Sequence, residues 1–170
     1  MEAADKKNEF VSRVTEFQGI VHKVCAMYGA TENDRKDLFQ EIMIQLWQSY
    51  PAFRGDSKFS TWMYRVALNV ALQHQRKTRN NKESVRGPEE FDRLPETKQN
   101  EPFEDKKQLL YTAIGSLNDV EKAIIMLYLE EVGNEEIANI TGISQNYVRV
   151  KMTRIKKKLK KIIGADYGSQ

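Results

Sequence analysis

Residues 134–159, NEEIANITGISQNYVRVKMTRIKKKL, decide how this chain reads. Ile137 and Ala138 give a short helix an apolar face, and Gly142 follows as a residue able to take positive φ where the chain turns. Ile143 closes the angle between helices, and Ser144 is placed to cap the next one. From there Val148, Met152, Ile155 and Leu159 recur at spacings of 4, 3 and 4, the buried stripe of an amphipathic helix. The opposite face carries Asn146, Val150, Thr153 and Arg154, flanked by Arg149. Asparagine and arginine match the hydrogen-bonding edges of bases in a major groove, and a small apolar group suits a thymine methyl. Ordinary helical hairpins use the same glycine turn, so charge must separate the two readings. Arg149, Lys151, Arg154, Lys156, Lys157, Lys158, Lys160 and Lys161 meet no acid anywhere between residues 137 and 165, whereas a merely solvated helix mixes its signs. The stretch reads as a helix-turn-helix with a basic extension, and DNA as its partner.

Charge also divides the rest of the 170 residues. Residues 1–82 carry 13 basic and 9 acidic groups, residues 83–107 carry 5 and 8, and residues 108–170 carry 9 and 7. Two basic lobes thus flank an acidic connector, and 40% hydrophobic content suffices for two modest cores. The single cysteine, Cys25, falls among apolar positions of a predicted helix and reads as a buried thiol, which fits a reducing cytosol. The longest apolar run, Ala123 to Leu129, is far short of a membrane span, and MEAADKK has no signal-peptide apolar region. A cytoplasmic location is expected.

In the first lobe Phe10, Val14, Phe17, Val21, Val24 and Tyr28 follow a 4, 3, 4, 3, 4 spacing, which predicts one amphipathic helix ended by Tyr28-Gly29-Ala30. Thr31 and Asp34 resemble a capping box for a second helix that buries Leu38, Ile42 and Leu46 and stops before Pro51. After the loop PAFRGDSKF, Ser60 or Thr61 is the expected cap of a third helix, with Met63, Val66, Ala67 and Val70 facing inward. Trp62 and Phe59 are assigned to the core. The segment NNKESVRGPEEFDRLPETKQNEPFED holds three prolines and no helical repeat, and reads as a linker. Periodicity resumes near Lys107 with Leu109, Leu110, Ala113 and Ile114. It restarts at Asn118, where Glu121 completes a capping box and Val120, Ile124 and Leu127 line the buried side. No strand-like alternation stands out, so the fold class is all-α: two small helical domains joined by an acidic linker.

The segment DLFQEIMIQLWQSYPAFRGDSKFSTWMYRVALNVA at 37–71 resembles the second conserved region of bacterial sigma factors of the small extracytoplasmic-function (ECF) group, part of the sigma-70 family. The run from Leu117 through EEIANITGIS to YVRVKMTRIKKKL resembles their fourth region. The likeness covers about residues 8–80 and 108–163. It implies a promoter-melting domain at 1–80, a linker at 81–107 and a helix-turn-helix domain at 108–170, serving RNA polymerase core and promoter DNA. Asp37, Gln40, Glu41 and Ile44 would then dock on the polymerase clamp helices. The loop Phe53, Arg54, Gly55, Asp56, Ser57 and Lys58 would capture a base flipped from the minus-ten element. Phe53 would supply stacking area, Gly55 room for close backbone approach, and Arg54 and Lys58 attraction for phosphate. Asn69 and Gln73, on a polar stripe with Arg65 and Arg76, would face the same DNA. Asn146, Arg149, Val150, Thr153 and Arg154 would read the minus-thirty-five element, with Lys151 and Lys156 to Lys158 on phosphates. The linker's carboxylates either mimic RNA in the polymerase channel or merely belong to a disordered tether. Members of the group are commonly held by an anti-sigma factor, so one is expected here.

Catalysis would need converging nucleophile, base or metal ligands, and the chain offers only His22, His74 and Cys25, with no glycine-rich phosphate loop. His22 reads as a helix-surface residue and His74 as a solvated neighbour of a basic end. No enzyme, metal or cofactor is expected. The alternative function is a stand-alone helix-turn-helix regulator that binds duplex DNA without polymerase.

Overall fold

The computed structural model describes residues 1–82 and 102–168, with side chains described for 1–79 and 105–164. Residues 83–101, most of the acidic linker, lie outside the described residues, as do both readings of its carboxylates. All described regular elements are helical, and the chain divides into two compact units, Met1–Asp92 and Arg93–Gln170.

In the first unit the single helix expected through Tyr28 is two, α1 (Glu2–Glu16) and α2 (Gln18–Tyr28), broken at Phe17 with φ −108° and ψ 18°. Gly19 is a weak helix former at the start of α2, and the Phe17 ring lies 5.9 Å from that of Phe59. The 4, 3, 4, 3, 4 pattern survives the break. Phe10, Val14, Val21, Val24 and Tyr28 are buried and Phe17 is half-buried. Gly29 then takes an extended conformation, where its carbonyl accepts from Arg35 Nη1 at 3.3 Å. Thr31 Oγ1 accepts from the Asp34 N–H at 3.1 Å and caps α3 (Glu32–Ser49).

Leu38, Ile42 and Leu46 of α3 are fully buried, as the spacing predicts. Pro51 falls in a single 3-10 turn, Tyr50–Ala52. Helix α4 (Phe59–Lys82) starts earlier than expected: the Trp62 N–H donates to the Lys58 carbonyl at 3.0 Å, so Ser60 and Thr61 lie inside the first turn and do not cap it. Its buried face is wider than one stripe because α2 and α3 both pack on it. Tyr64, Leu68 and Ala71 join Met63, Val66 and Ala67, while Val70 is half-buried. Gln75 Nε2 donates to the Tyr28 carbonyl, satisfying the end of α2 from α4.

The second unit comprises α5 (Pro102–Gly115), α6 (Asp119–Leu129), α7 (Asn134–Thr141) and α8 (Gln145–Gly168). Helix α5 begins at Pro102, ahead of Lys107 where the apolar periodicity resumes; proline is tolerated in a first turn, where its missing N–H would have no helical partner. The Asn118 box forms in full: its Oδ1 accepts from the Glu121 N–H at 2.8 Å, and Glu121 Oε1 accepts from the Asn118 N–H at 3.3 Å. Ala123 through Leu127 are all buried, since α6 touches α5, α7 and α8. A helix covered on several sides hides its register from a stripe argument. Val120, expected inside, is 38% exposed, and Glu121 turns inward in its stead. Among the described residues no helix is long and apolar enough to cross a membrane.

Two glycines make opposite demands. A Cβ on Gly29 would lie 2.4 Å from Arg35 Cγ and 2.9 Å from the Cys25 carbonyl oxygen, and the latter is helix backbone that cannot swing away. Gly29→Ala is therefore expected to destabilise the chain by about 1–3 kcal/mol. Gly19, inside α2 with nothing within 4 Å of such an atom, should gain up to about 1 kcal/mol when changed to Ala. Denaturant unfolding of both variants checks the opposite signs.

Candidate nucleic-acid interface

At the α7–α8 turn Gly142 has φ +77° and ψ 15°, and its N–H donates to the Ala138 carbonyl at 2.9 Å. No atom crowds its missing side chain, so the left-handed backbone rather than space requires glycine. Ser144 Oγ accepts from the Tyr147 N–H at 3.1 Å and opens α8 as expected. Behind the turn Ile137 and Ile140 are buried, Ala138 and Ile143 half-buried. Val148, Met152, Ile155 and Leu159 are all buried, which fixes the azimuth of the helix.

The opposite face is open. Asn146, Arg149, Val150, Thr153 and Arg154 are exposed, and Val150 keeps 46% of its surface in solvent. The Thr153 hydroxyl donates to the Arg149 carbonyl at 3.1 Å and is used locally. Lys151 is half-buried, its Nζ 5.5 Å from the Tyr147 ring. The basic run is not uniform in its contacts. Lys156 Nζ sits 4.4 Å over the Tyr128 ring of α6, and Lys158 Nζ lies 3.0 and 3.2 Å from the two oxygens of Glu121. All five lysines, Lys156, Lys157, Lys158, Lys160 and Lys161, are nonetheless exposed, and the Lys158 side chain keeps 56% of its surface in solvent.

In the first unit the loop between Ala52 and Phe59 leaves Arg54, Gly55, Asp56 and Lys58 exposed, with Phe53 and Ser57 half-buried. Gly55 has φ +80° and nothing near its missing Cβ, so here too the turn conformation calls for glycine. Phe53 packs into a ring cluster, 5.2 Å from Trp62 and 5.6 Å from Phe59, while Tyr50 lies 6.3 Å from Trp62. Trp62 and Phe59, expected in the core, are half-buried: at this edge the rings cover one another rather than a closed interior. Arg13 of α1, which sequence reading passed over, holds its guanidinium 5.2 Å from Phe59 and 5.9 Å from Phe53. Glu9 approaches Arg13 at 3.8 Å. Burial first, and a hydrogen bond to Glu9 next, push the neighbouring Tyr50 phenol above its ordinary pKa. A cation and an aromatic shelf thus meet beside the loop. Along α4, Arg65, Asn69, Gln73 and Arg76 are all exposed.

On the outer face of α3, Asp37, Gln40, Glu41 and Ile44 are exposed, Ile44 by 57%, and Trp47 adds a further open ring at 45%. The i, i+3 and i+4 spacing to Ile44 could have flagged Trp47. His74 is half-buried with Nδ1 3.3 Å from Glu41 Oε2, not the solvated residue expected. His22 is exposed and stacked on Phe39 at 5.2 Å. Among the described residues no group of three or more His, Cys, Asp or Glu could hold a metal.

Cys25 is buried in α2, and desolvation pushes its thiol to about 11. The neutral thiol favours the folded state, so that contribution is complete below the unfolded-chain pKa near 8.5 and is lost as pH rises towards 11. Native Cys25 should label with a thiol-specific disulfide reagent at pH 8 at least tenfold more slowly than in denaturant; equal rates would show the thiol to be accessible.

Comparison with known proteins accords with this geometry. Residues 13–81 match the model for Sigma-70 region 2, and residues 107–159 that for Sigma-70, region 4. The ECF RNA polymerase sigma-E factor of Haemophilus influenzae is 30% identical over 165 residues, covering 91% of this chain and 86% of the relative. Its namesake in Escherichia coli K12 is 31% identical over 147 residues, 78% and 76% of the two chains. Among solved structures, the sigma factor RpoE in complex with the anti-sigma factor NepR from Bartonella quintana aligns with a TM-score of 0.76 at 16% identity, over 93% of this chain and 98% of that one. CnrH, solved with the cytosolic domain of CnrY, aligns at 0.64 and 19% identity, over 94% and 90%. Two sigma regions in family order, each on its own helical unit, together with relatives at this identity over most of both chains, place the chain: it belongs to the extracytoplasmic-function group of the sigma-70 family, the sigma factors of RNA polymerase.

Proposed function

We propose that the two units divide promoter recognition between them. Residues 1–80 dock on polymerase and open the minus-ten element, residues 81–107 connect, and residues 108–170 read the minus-thirty-five duplex. The observation that carries this reading is the outward face of α8, where Asn146, Arg149, Val150, Thr153 and Arg154 stand exposed over a fully backed apolar stripe. Arg149 and Arg154 suit guanine acceptors, and Val150 a thymine methyl, each good bidentate pair contributing about 1–3 kcal/mol of discrimination. Asn69, Gln73 and the loop from Phe53 to Lys58 take the unwound strand, with the Phe53, Phe59 and Trp62 rings as shelf. Asp37, Gln40, Glu41 and Ile44 form the polymerase-facing surface of α3. The bond-making chemistry belongs to polymerase, the chain itself is no enzyme, and its place of work is the cytoplasm. An anti-sigma factor is proposed as a further partner, by analogy with the Bartonella sigma factor solved with NepR.

Transcription reconstituted with polymerase core tests the assignment. Phe53→Ala and Asn69→Ala are expected to slow promoter opening at least tenfold, read with a fluorescent base in the minus-ten strand, while association with core stays within twofold. Equal loss of both would assign these residues to docking or folding instead. Arg149→Ala should relax base preference at minus thirty-five alone, and unchanged preference there would remove it from the interface. Affinity for that duplex should fall steeply with salt; a stand-alone regulator would instead bind the duplex tightly and specifically without polymerase.

A further inference from the structure

Glu121 is the one buried charged residue among the described residues, 2% exposed in the first turn of α6. Its side chain serves two elements at once. Oε1 accepts from the Asn118 N–H, closing the capping box, and both oxygens meet Lys158 Nζ from α8 at 3.0 and 3.2 Å. The Glu121 side chain is 2% exposed while that of Lys158 keeps 56% of its surface in solvent, so the desolvation cost falls on the carboxylate, and its partners on two elements offset it. Lys158 follows Arg154 by four positions and Lys151 by seven, on one side of the helix. Turning α8 far enough to break the pair would therefore carry Arg154 with it.

We propose that Glu121 is a positioning residue for duplex readout: by gripping Lys158 it adds a second hold, beside the buried apolar stripe, on how α8 presents its groove-facing side chains, and it engages that lysine's ammonium in place of a phosphate. This rests on the assignment of α8 to the minus-thirty-five duplex. The basic run is then split by function. Lys157, Lys160 and Lys161 supply the salt-dependent attraction, whereas Lys158, exposed like them but held by Glu121, contributes to orientation.

The test uses the full chain assembled with polymerase core, on promoter fragments carrying an intact or singly substituted minus-thirty-five element, with affinity measured across a salt series. Lys157→Gln should reduce the salt slope by about 0.9, the value for one lost phosphate contact. Lys158→Gln should leave the slope unchanged and cut discrimination against the substituted element about fivefold or more, and Lys158→Arg should restore it. Glu121→Gln keeps an acceptor for Asn118 but frees Lys158, so its slope should rise while discrimination falls. If Lys158→Gln lowers the slope as Lys157→Gln does and leaves discrimination intact, Lys158 is an ordinary phosphate contact and the proposal is overturned. If Lys157→Gln and Arg149→Ala also change neither quantity, the assignment of α8 itself fails and takes the proposal with it. Should Glu121→Gln not fold, the pair Lys158→Gln and Lys158→Arg decides the matter alone.

Discussion

A helix that buries one stripe has no freedom over where its other residues point, and both surfaces proposed to face DNA in this sigma factor follow from that constraint. Val148, Met152, Ile155 and Leu159 on α8, and Met63, Ala67, Leu68 and Ala71 on α4, are buried. Each large apolar side chain removed from water stabilises by about 1.5–3 kcal/mol, against at most about 1 kcal/mol for an exposed ion pair. Orientation is therefore decided by the apolar atoms. The cations and amides are carried to the surface as a consequence.

The two surfaces differ in what lies beside the charge. On α8 the neighbours are an exposed valine and a threonine whose hydroxyl is occupied locally, a modest groove-reading set. Beside α4 they are rings: Tyr50, Phe53, Phe59 and Trp62, with Arg13 set over two of them. Aromatic faces gain from stacking with any base and discriminate weakly by hydrogen bonding. One surface thus suits a closed duplex and the other an opened strand, and this side-chain chemistry supports the proposed division of labour.

Much of this was legible in the sequence where one stripe faces one neighbour. Leu38, Ile42 and Leu46, the α8 stripe, the positive φ of Gly142, the Ser144 cap and the Asn118–Glu121 box all follow from local spacing and local hydrogen bonds. Val120 and Trp62 were expected in the core and are more open than that. His74, read as solvated, answers to Glu41, a partner distant in sequence, and the contact of Lys158 with Glu121 is equally remote. Periodicity carries no information about such partners. At the break, the Phe17 ring lies 5.9 Å from that of Phe59, a neighbour that no local pattern announces.

The central claim is that one surface holds duplex while another holds unwound strand, and that polymerase is needed for the second. Permanganate footprinting of a promoter fragment, with this chain alone, with polymerase core alone and with both, tests it most directly. The account predicts reactive, unpaired thymines in the minus-ten element only when both are present. Reactivity produced by core alone, or tight protection of a single duplex site by the chain with no opening when core is added, would contradict it.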